Sequence, residues 1–216
     1  MRRVLDSACG TGQHALALAR RGYEAAGADL SPRMIEQARA RAGEAGLAVP
    51  FVVAGLGELR AAFSESFDAV LCLGNSLPHL LTPAAVQAAL RDFAAVLRPG
   101  GIAVIQNRNY DRVWGERERF MPLQQRREEG AEWLFFRFMD FHEATLTFNV
   151  VTLQRQRQDE AWTYRVGSTE LQPLFQRELA AWLPAAGFGA QFYGSYSSAP
   201  FDAELSGDLI VVAERA

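Results

Sequence analysis

The sequence is poor in the residues that build disulfide frameworks and metal centres. Its 216 residues include only two cysteines and three histidines. Cys9 and Cys72 are too few for a disulfide framework and have no zinc-site spacing. His14, His79 and His142 are scattered along the chain, so no metal cluster is indicated. We therefore expect no metal site and a reducing compartment.

Long apolar runs and an excess of basic residues are also missing. No stretch approaches the roughly 20 apolar residues of a membrane span, and no apolar signal-peptide core follows the basic start of the chain. The formal net charge is -3, whereas phosphate binding draws on concentrated Lys and Arg. The densest basic spots, 126–127 and 155–157, precede acidic residues and are interpreted as solvated faces. We expect a cytoplasmic protein that binds neither nucleic acid nor membrane.

The first two-thirds of the chain alternates strand-like with helix-like segments. Such alternation predicts a parallel sheet with helices on both faces. The N-cap pairs Ser31-Pro32 and Thr82-Pro83 mark two of the helix starts. The predicted strands are 3–6, 23–29, 49–54, 67–74 and 102–107, and the predicted helices are 13–22, one that begins at Pro32, and 83–97.

Polar residues lie where these predicted strands end. They are Asp6, Asp29, Asn75, Asn107 and Arg108. Ligands of open parallel sheets collect at the carboxyl ends of the strands. The sequence therefore predicts a ligand site along that edge.

The later part of the chain has a different pattern. Segments 132–141, 145–155 and 162–171 alternate apolar and polar residues, which is typical of an antiparallel meander. We expect this meander to form a lid, inserted at approximately 110–170 into a single domain that spans 1–216. The remaining predicted elements are a helix at 171–187 and strands at 188–197 and 208–215.

The segment "VLDSACGTGQ" (4–13) places a glycine turn directly after the first strand. Gly10, Gly12 and Ala15 fit the pattern G-x-G-x-x-[GA], which alone is a weak signal for a dinucleotide. The Asp6 carboxylate would repel a pyrophosphate but can receive an ammonium group. Asp29 can accept ribose hydroxyls, a feature shared with NAD sites. The turn therefore favours a cationic nucleoside ligand.

Three segments, "LDSACGTG", "GADLSPRM" and "LRPGG", resemble motifs of the class I S-adenosylmethionine-dependent methyltransferases. The resemblance covers essentially the whole chain. It implies an α/β, Rossmann-like fold, with a mostly parallel seven-stranded sheet, an antiparallel last strand and an inserted antiparallel β lid. It also implies S-adenosyl-L-methionine as cofactor, with S-adenosyl-L-homocysteine as product. The implied cofactor-binding residues are Asp6, Ala8, Cys9, Gly10, Gly12, Asp29, Leu30, Met34, Leu56 and Leu73.

A narrower resemblance concerns the acceptor. "FDAVLCLGNSLPHL" (67–80) and "IQNRNYD" (105–111) resemble the glycine and sarcosine N-methyltransferases. This resemblance implies that Asn75 lies beside the methyl donor and that Arg108 binds the carboxylate of the acceptor. A guanidinium can meet a carboxylate with two parallel charge-assisted bonds. The alternative is an exposed Arg108 that pairs with Asp111.

Two further residues belong to the predicted acceptor site. Tyr110 is expected to contact the substrate. His79 could accept a proton from the amine, or it could shape the loop before the next helix. The aromatic residues expected to face the acceptor pocket as lid are Tyr110, Phe136, Phe138, Phe141, Tyr164, Tyr193 and Tyr196.

The sequence departs from the resembled families at two places. Members commonly carry an acidic residue after the third strand, where this chain has Gly55, so we expect Leu56 backbone groups or Glu58 to contact adenine. Members also have a helical segment before the first strand. We expect that side of the pocket to be open, to be covered by a neighbouring subunit in a homo-oligomer, or to be supplied by a longer gene product.

The sequence-based hypothesis is N-methylation of a small carboxylated amine by in-line displacement, with a small-molecule methyl acceptor as partner. A methyltransferase for another small acceptor, and a cofactor-binding module without catalysis, remain as alternatives. An NAD-linked oxidoreductase is the most distant one.

Overall fold

A computed structural model describes residues 2–157 and 160–216. The described residues form two sheets and six α-helices. The strands are β1 (Arg3–Ser7), β2 (Glu24–Asp29), β3 (Phe51–Val53), β4 (Phe67–Cys72), β5 (Leu97–Arg108), β6 (Gln124–Glu128), β7 (Ala131–Phe141), β8 (Leu146–Arg155), β9 (Thr163–Leu171), β10 (Phe188–Tyr193) and β11 (Asp208–Arg215). The helices are α1 (Gln13–Arg20), α2 (Pro32–Glu44), α3 (Leu59–Ala62), α4 (Pro83–Val96), α5 (Tyr110–Glu116) and α6 (Gln176–Ala185).

The larger sheet has seven strands in the order β10-β11-β5-β4-β1-β2-β3. The pairs among β1 to β5 are parallel, whereas β11 runs antiparallel to both β5 and β10. Because β1, β2, β4 and β5 are parallel, their carboxyl ends meet at one edge of the sheet. The predicted Rossmann-like sheet with antiparallel last strands is confirmed.

Local sequence signals explain where two of the helices begin. Ser31 caps α2 by accepting a bond from the Met34 amide, and Thr82 caps α4 by accepting one from Ala85. Each cap is followed by proline, whose fixed φ suits the first helical position. The helix predicted from residue 171 begins at Gln176 instead, after Pro173.

The smaller sheet has four antiparallel strands in the order β6-β7-β8-β9, and it lies in the chain between α5 and α6. The predicted meander corresponds to its last three strands. The sequence analysis did not predict β6, because all five of its residues are polar and exposed. The lid is therefore a four-stranded sheet, introduced by the short helix α5.

The larger sheet and the lid are joined by a small apolar cluster. Its buried members are Tyr110, Val113, Met139, Leu146 and Leu171. A backbone bond from the Gln172 amide to the Pro78 carbonyl, 2.8 Å long, adds a direct tie to the loop after β4. The lid therefore packs beside the carboxyl edge of the parallel strands.

The basic spots are exposed, as predicted for solvated faces, except at Arg155, which is partly buried. Arg155 and Arg127 both donate to the Glu132 carboxylate, and only 6% of the Glu132 surface is exposed.

No helix in the described part of the chain is long and apolar enough to cross a membrane.

Candidate active site

The loop between β1 and α1 is bound closely to the end of β2. Three of its residues, Ala8, Gly10 and Gly12, have positive φ angles of 58°, 54° and 79°. The Cys9 amide donates to the Ala28 carbonyl at 2.8 Å. A Cβ atom built on Gly10 would meet nothing within 4 Å. The space next to the Gly10 backbone is therefore empty, and a ligand can approach the backbone there.

Asp29 holds this loop in place. One of its carboxylate oxygens accepts the Gly10 amide at 2.8 Å, and the other accepts the Ser31 amide at 2.9 Å. A carboxylate oxygen has two lone-pair sites, so each can accept a further bond. Asp29 can thus bind two neighbouring hydroxyls while it orders the turn.

Asp6 is a buried carboxylate without a hydrogen-bond partner for one oxygen among the described residues. The side chain is 1% exposed, and Oδ2 lies 3.9 Å from His14 Nδ1. Burial raises the pKa of Asp6 to about 7, opposed by a backbone bond from Ala15 and assisted by the negative charge of Asp29. An unpaired buried carboxylate is costly, so the site favours a cationic ligand.

A cleft of about 520 Å³ lies beside this loop. Four predicted cofactor residues line it: Ala8, Asp29, Leu30 and Leu56. The other residues of its wall were not predicted to bind the cofactor, although the sequence analysis had singled out His79 for the acceptor site and Gly55 for its place after the third strand. The additional lining residues are Ser31, Ala54, Gly55, Ser76, His79 and Leu80.

Four other predicted cofactor residues have different positions. The Cys9 side chain is buried in a core cluster, and a Cβ on Gly12 would lie 2.7 Å from the Phe51 ring. Met34 is on the first turn of α2 and Leu73 follows β4; neither lines the cleft. Cys9 and Gly12 therefore support the turn from its buried side. Met34 and Leu73 remain predictions.

Glu58 lies next to the predicted adenine position. Its Oε2 accepts the Gly55 amide at 2.8 Å, and Gly55 and Leu56 line the cleft. The loop after β3 therefore brings a carboxylate to the place where the resembled families have one. This geometry agrees with the alternative predicted for Glu58.

A second cavity, of about 570 Å³, lies between the larger sheet and the lid. Asn75, His79, Arg108 and Tyr110, all predicted acceptor-site residues, line it together. His79 also lines the cleft, so the two cavities meet at its ring. The other side of the cavity is formed by lid residues that include Met121, Met139, Phe148 and Val150.

Arg108 lines this cavity and forms no ion pair with any residue that the structure describes. Its Nη1 is buried and has no hydrogen-bond partner among the described residues. The alternative pairing with Asp111 is not present, because Asp111 accepts the Gln176 amide at 2.9 Å. A buried guanidinium nitrogen with no acceptor is an incomplete site, and an anionic ligand group would complete it.

Asn75 connects three elements around the cavity. It adopts a left-handed conformation with φ 63°. Its Oδ1 accepts the Arg108 amide at 2.9 Å, which fixes the orientation of the side chain, and its Nδ2 donates to the Tyr110 hydroxyl at 2.8 Å. Since the Tyr110 oxygen accepts this bond, its own hydrogen is free to donate into the cavity.

Two groups of this wall have shifted pKa values. Burial raises the pKa of Tyr110, opposed by the bond from Asn75 and by the positive charge of Arg108. Partial burial lowers the pKa of His79. At neutral pH the Tyr110 side chain is therefore a donor and the His79 ring is neutral, with one nitrogen able to accept a hydrogen bond.

Asn107 was also predicted at this edge, but it faces away from the cavity. It alternates with Gln106 and Arg108 along β5, and its buried side-chain amide has no partner among the described residues. The predicted aromatic lid is largely absent from the cavity wall as well. Tyr110 lines it, whereas Phe136 and Phe138 pack in a separate cluster with Phe120.

Sequence reasoning missed several polar residues of the wall, among them Gln106 and Asp208. Gln106 lies two residues before Arg108 on the same face of β5, so strand periodicity could have found it. Asp208 is the Cα partner of Arg108 on β11. It was the first residue of a predicted strand, but the pairing of that strand was not specified.

Comparison with known proteins agrees with this geometry. A family model described as a methyltransferase domain matches residues 4–101. A glycine/sarcosine N-methyltransferase of Parasynechococcus marenigrum is 38% identical over 112 residues, which are 52% of this chain and 40% of that protein. Residues 4–101 thus match a methyltransferase domain, and the described residues have the fold of the class I S-adenosylmethionine-dependent methyltransferases.

Solved structures extend the match to the lid. The chain aligns over 100% of its length with 84% of CalS10, an amino pentose methyltransferase from Micromonospora echinaspora whose structure has the cofactor bound, at a TM-score of 0.80 and 25% identity. A ubiquinone biosynthesis O-methyltransferase of Xanthomonas axonopodis pv. citri is 37% identical over 46% of this chain and 40% of that protein. The likeness to CalS10 therefore covers both the larger sheet and the lid.

The matches with curated relatives do not identify the methyl acceptor. The matched stretches span about two-fifths of those relatives' own length. The family model ends at residue 101, before Arg108 and before the lid. The family model thus covers the residues that line the cleft, together with Asn75 and His79, and does not reach Arg108 or the lid.

Proposed function

We propose that this chain transfers a methyl group from S-adenosylmethionine to the nitrogen of a small carboxylated amine of the glycine or sarcosine type. The observation that carries the proposal is the unpaired, buried Nη1 of Arg108 in a cavity that meets the cofactor cleft at His79. The likeness to glycine/sarcosine N-methyltransferases over half of the chain supports it.

The cofactor residues fit the three parts of S-adenosylmethionine. Asp6 would receive the methionyl ammonium, Asp29 the ribose hydroxyls, and the loop after β3 the adenine. The cofactor supplies an activated methyl group on a sulfonium. The protein need not supply a nucleophile, because its task is to orient the acceptor and to exclude water.

The acceptor residues would fix the amine at one distance from that methyl group. Arg108 Nη1 and the Tyr110 hydroxyl would donate to the acceptor carboxylate. Asn75 would hold the Tyr110 hydroxyl directly, and it would hold Arg108 through the backbone amide of that residue. With the carboxylate fixed, the amine is directed towards His79, where the two cavities meet.

His79 would act on the amine as a hydrogen-bond acceptor. A neutral ring nitrogen can orient an N–H group and can take up its proton. The lowered pKa keeps the ring neutral at pH 7, which suits this role. A neutral amine is required, because a protonated one has no lone pair to donate.

A matched pair of acceptors tests the proposal. S-adenosylhomocysteine release is measured with sarcosine and with its primary amide, which lacks the carboxylate. We expect a strong preference for sarcosine in the wild type. In Arg108→Ala we expect KM for sarcosine to rise by about 10- to 100-fold, as lost bonds to a charged group imply, with cofactor Kd unchanged.

The control is Arg91→Ala, which removes an exposed arginine of α4. This variant should behave as the wild type. Equal use of sarcosine and its amide, or equal losses of acceptor and cofactor affinity in Arg108→Ala, would contradict the proposal.

One observation favours a second candidate function, methylation of an amino sugar. The aligned structure of an amino pentose methyltransferase matches the lid as well as the sheet. An amino sugar has hydroxyls and no carboxylate. Turnover of amino sugars that survives Arg108→Ala would select this candidate.

A further inference from the structure

Asp208 and Arg108 are opposite charges that do not pair. They are Cα partners across the antiparallel ladder of β11 and β5, and both line the acceptor cavity. Directly opposed charges on neighbouring strands ordinarily attract each other. Yet the ion pairs among the described residues include none between these two side chains. The cavity thus presents one unpaired cation and one carboxylate.

Gln106 holds the Asp208 carboxylate in a fixed orientation. The Gly74 amide donates to Gln106 Oε1 at 2.8 Å, and because a backbone amide can only donate, the amide of Gln106 has one allowed orientation. Its Nε2 then donates to Asp208 Oδ1 at 2.9 Å. Asp208 Oδ2 receives no bond from the described residues and can accept one from a ligand.

The order of the strands places Asp208 beyond the proposed carboxylate site. Along the carboxyl edge, β1 carries Asp6, β4 leads into the loop with His79, β5 carries Arg108, and β11 carries Asp208. An acceptor whose amine lies near His79 and whose carboxylate lies on Arg108 would therefore meet Asp208 with its remaining atoms.

The cavity has room for those atoms. Its volume is about 570 Å³. Glycine has five non-hydrogen atoms, and at roughly 30 Å³ each, the share of one water molecule, it would fill about a quarter of that space. The remaining wall includes the hydroxyl residues Ser168 and Thr169. A polar substituent would thus find hydroxyl partners in this wall as well as Asp208.

We propose that Asp208 is a specificity-determining residue that selects acceptors with an additional hydrogen-bond donor, a hydroxyl or an ammonium group, on the side of the carboxylate remote from the cofactor. The proposal rests on the proposed function, since Arg108 is taken to bind the carboxylate. It names the substrate class as amino acids larger than glycine with a polar side chain.

Three ligands with one carbon skeleton test the proposal. They are 2-aminobutyrate, homoserine, which adds a hydroxyl to it, and 2,4-diaminobutyrate, which adds an ammonium group. Binding to the complex of the protein with S-adenosylhomocysteine is measured by calorimetry. We expect the wild type to bind at least one of the two substituted ligands about tenfold more tightly than 2-aminobutyrate or better. The two substituted ligands distinguish the hydroxyl from the ammonium.

The variant Asp208→Ala should reduce that preference to about twofold or less. Asp208→Asn, which keeps the size of the side chain, serves if the first variant does not fold, and it should lower the preference for an ammonium group. Glu214→Ala, an exposed position at the other end of β11, should keep the wild-type preference. The quantity compared is the ratio of the affinities for the substituted ligand and for 2-aminobutyrate. A structural defect would weaken the binding of both ligands, whereas the loss of a contact with Asp208 lowers the ratio.

A preference that is absent from the wild type, or unchanged in Asp208→Ala, would overturn the inference. Failure of all three ligands to bind would overturn it as well. If the preference is found but no amine is methylated, the inference about Asp208 stands and the proposed function fails.

Discussion

At the scale of single residues, Asp6 carries the clearest sign of a ligand. A carboxylate that is 1% exposed and has an unpaired oxygen among the described residues destabilises the free protein in its ionised form. Its pKa of about 7 means that the proton stays bound over the acidic range. A cation at Oδ2 would favour the ionised form, so cofactor binding should release a proton.

We predict that cofactor affinity depends on pH through Asp6. Below the pKa of about 7 the group is neutral, so S-adenosylmethionine should bind about fivefold more weakly at pH 6 than at pH 7. Calorimetry between pH 5.5 and 7 measures this, in a range where the ligand ammonium stays charged. The pH dependence should disappear in Asp6→Asn, together with much of the affinity.

His14 requires a control, because its ring lies 3.9 Å from the Asp6 carboxylate. The variant His14→Gln should keep the pH dependence. A flat profile in the wild type would show that Asp6 does not bind the cation.

Sequence reasoning could identify residues that lie at strand ends near a recognisable turn. Asp29 and Arg108 were found in this way, and the structure brings them to the two cavities. Asp208 was not, because its place beside Arg108 depends on an antiparallel pairing between segments about 100 residues apart, which periodicity does not reveal. Asn107 illustrates the reverse case, since the alternation of side chains along β5 turns it away from the site.

At the scale of elements, helix α1 is flanked by two glycines with different requirements. Gly12 has φ 79°, and a Cβ there would lie 2.7 Å from Phe51. Gly22, which follows α1, has φ 85° but open space around its Cβ position. A side chain would strain the backbone at both positions, but only at Gly12 would it also crowd a neighbouring side chain.

We predict that Gly12→Ala destabilises the protein more than Gly22→Ala does. The left-handed conformation costs alanine about 1–2 kcal/mol at either position. Overpacking against Phe51 adds about 1–3 kcal/mol at Gly12 alone. Urea unfolding of the two variants measures the difference, and a second substitution, Phe51→Leu, should recover part of the loss in Gly12→Ala. Equal destabilisation would contradict the role given to Phe51.

Elements with a marked apolar pattern were the ones that sequence reasoning predicted well. Strands β7, β8 and β9 alternate visibly, and α2 and α4 have caps followed by proline. Strand β6 has no apolar residue, and it is recognisable only from its pairing with β7. The lid cavity was predicted to be aromatic, but methionines and aliphatic residues form much of it, because the side of a strand that faces a cavity depends on register.

At the scale of the whole molecule, the two sheets divide the work. With the proposed function, the larger sheet would carry the cofactor cleft, and the lid would close the acceptor cavity. Within the lid, Glu132 accepts bonds from Arg155 at 2.8 Å and from Arg127 at 2.9 Å. The hydrogen bonds from Arg155 and Arg127, in that order, lower the pKa of Glu132 to about 2. The stabilisation of the folded lid by the ionised Glu132 is therefore present at neutral pH and is lost only as pH falls towards 2.

We predict that Glu132→Gln loosens the lid and leaves the cofactor cleft intact. Amide hydrogen exchange should become faster across β6, β7 and β8, because a neutral side chain holds the two arginines less strongly. S-adenosylmethionine affinity should stay within about twofold of the wild type, whereas KM for the acceptor should rise. The control is Glu128→Gln, an exposed acidic position of β6. Equal loss of cofactor binding in Glu132→Gln would show that the two sheets act as one unit.

The most direct test is a crystal structure of the protein with S-adenosylhomocysteine and sarcosine. We predict a carboxylate oxygen about 2.8 Å from Arg108 Nη1, with the sarcosine nitrogen facing both the cofactor sulfur and His79. An Arg108 side chain that is turned onto Asp208, with the carboxylate bound elsewhere, would contradict the account.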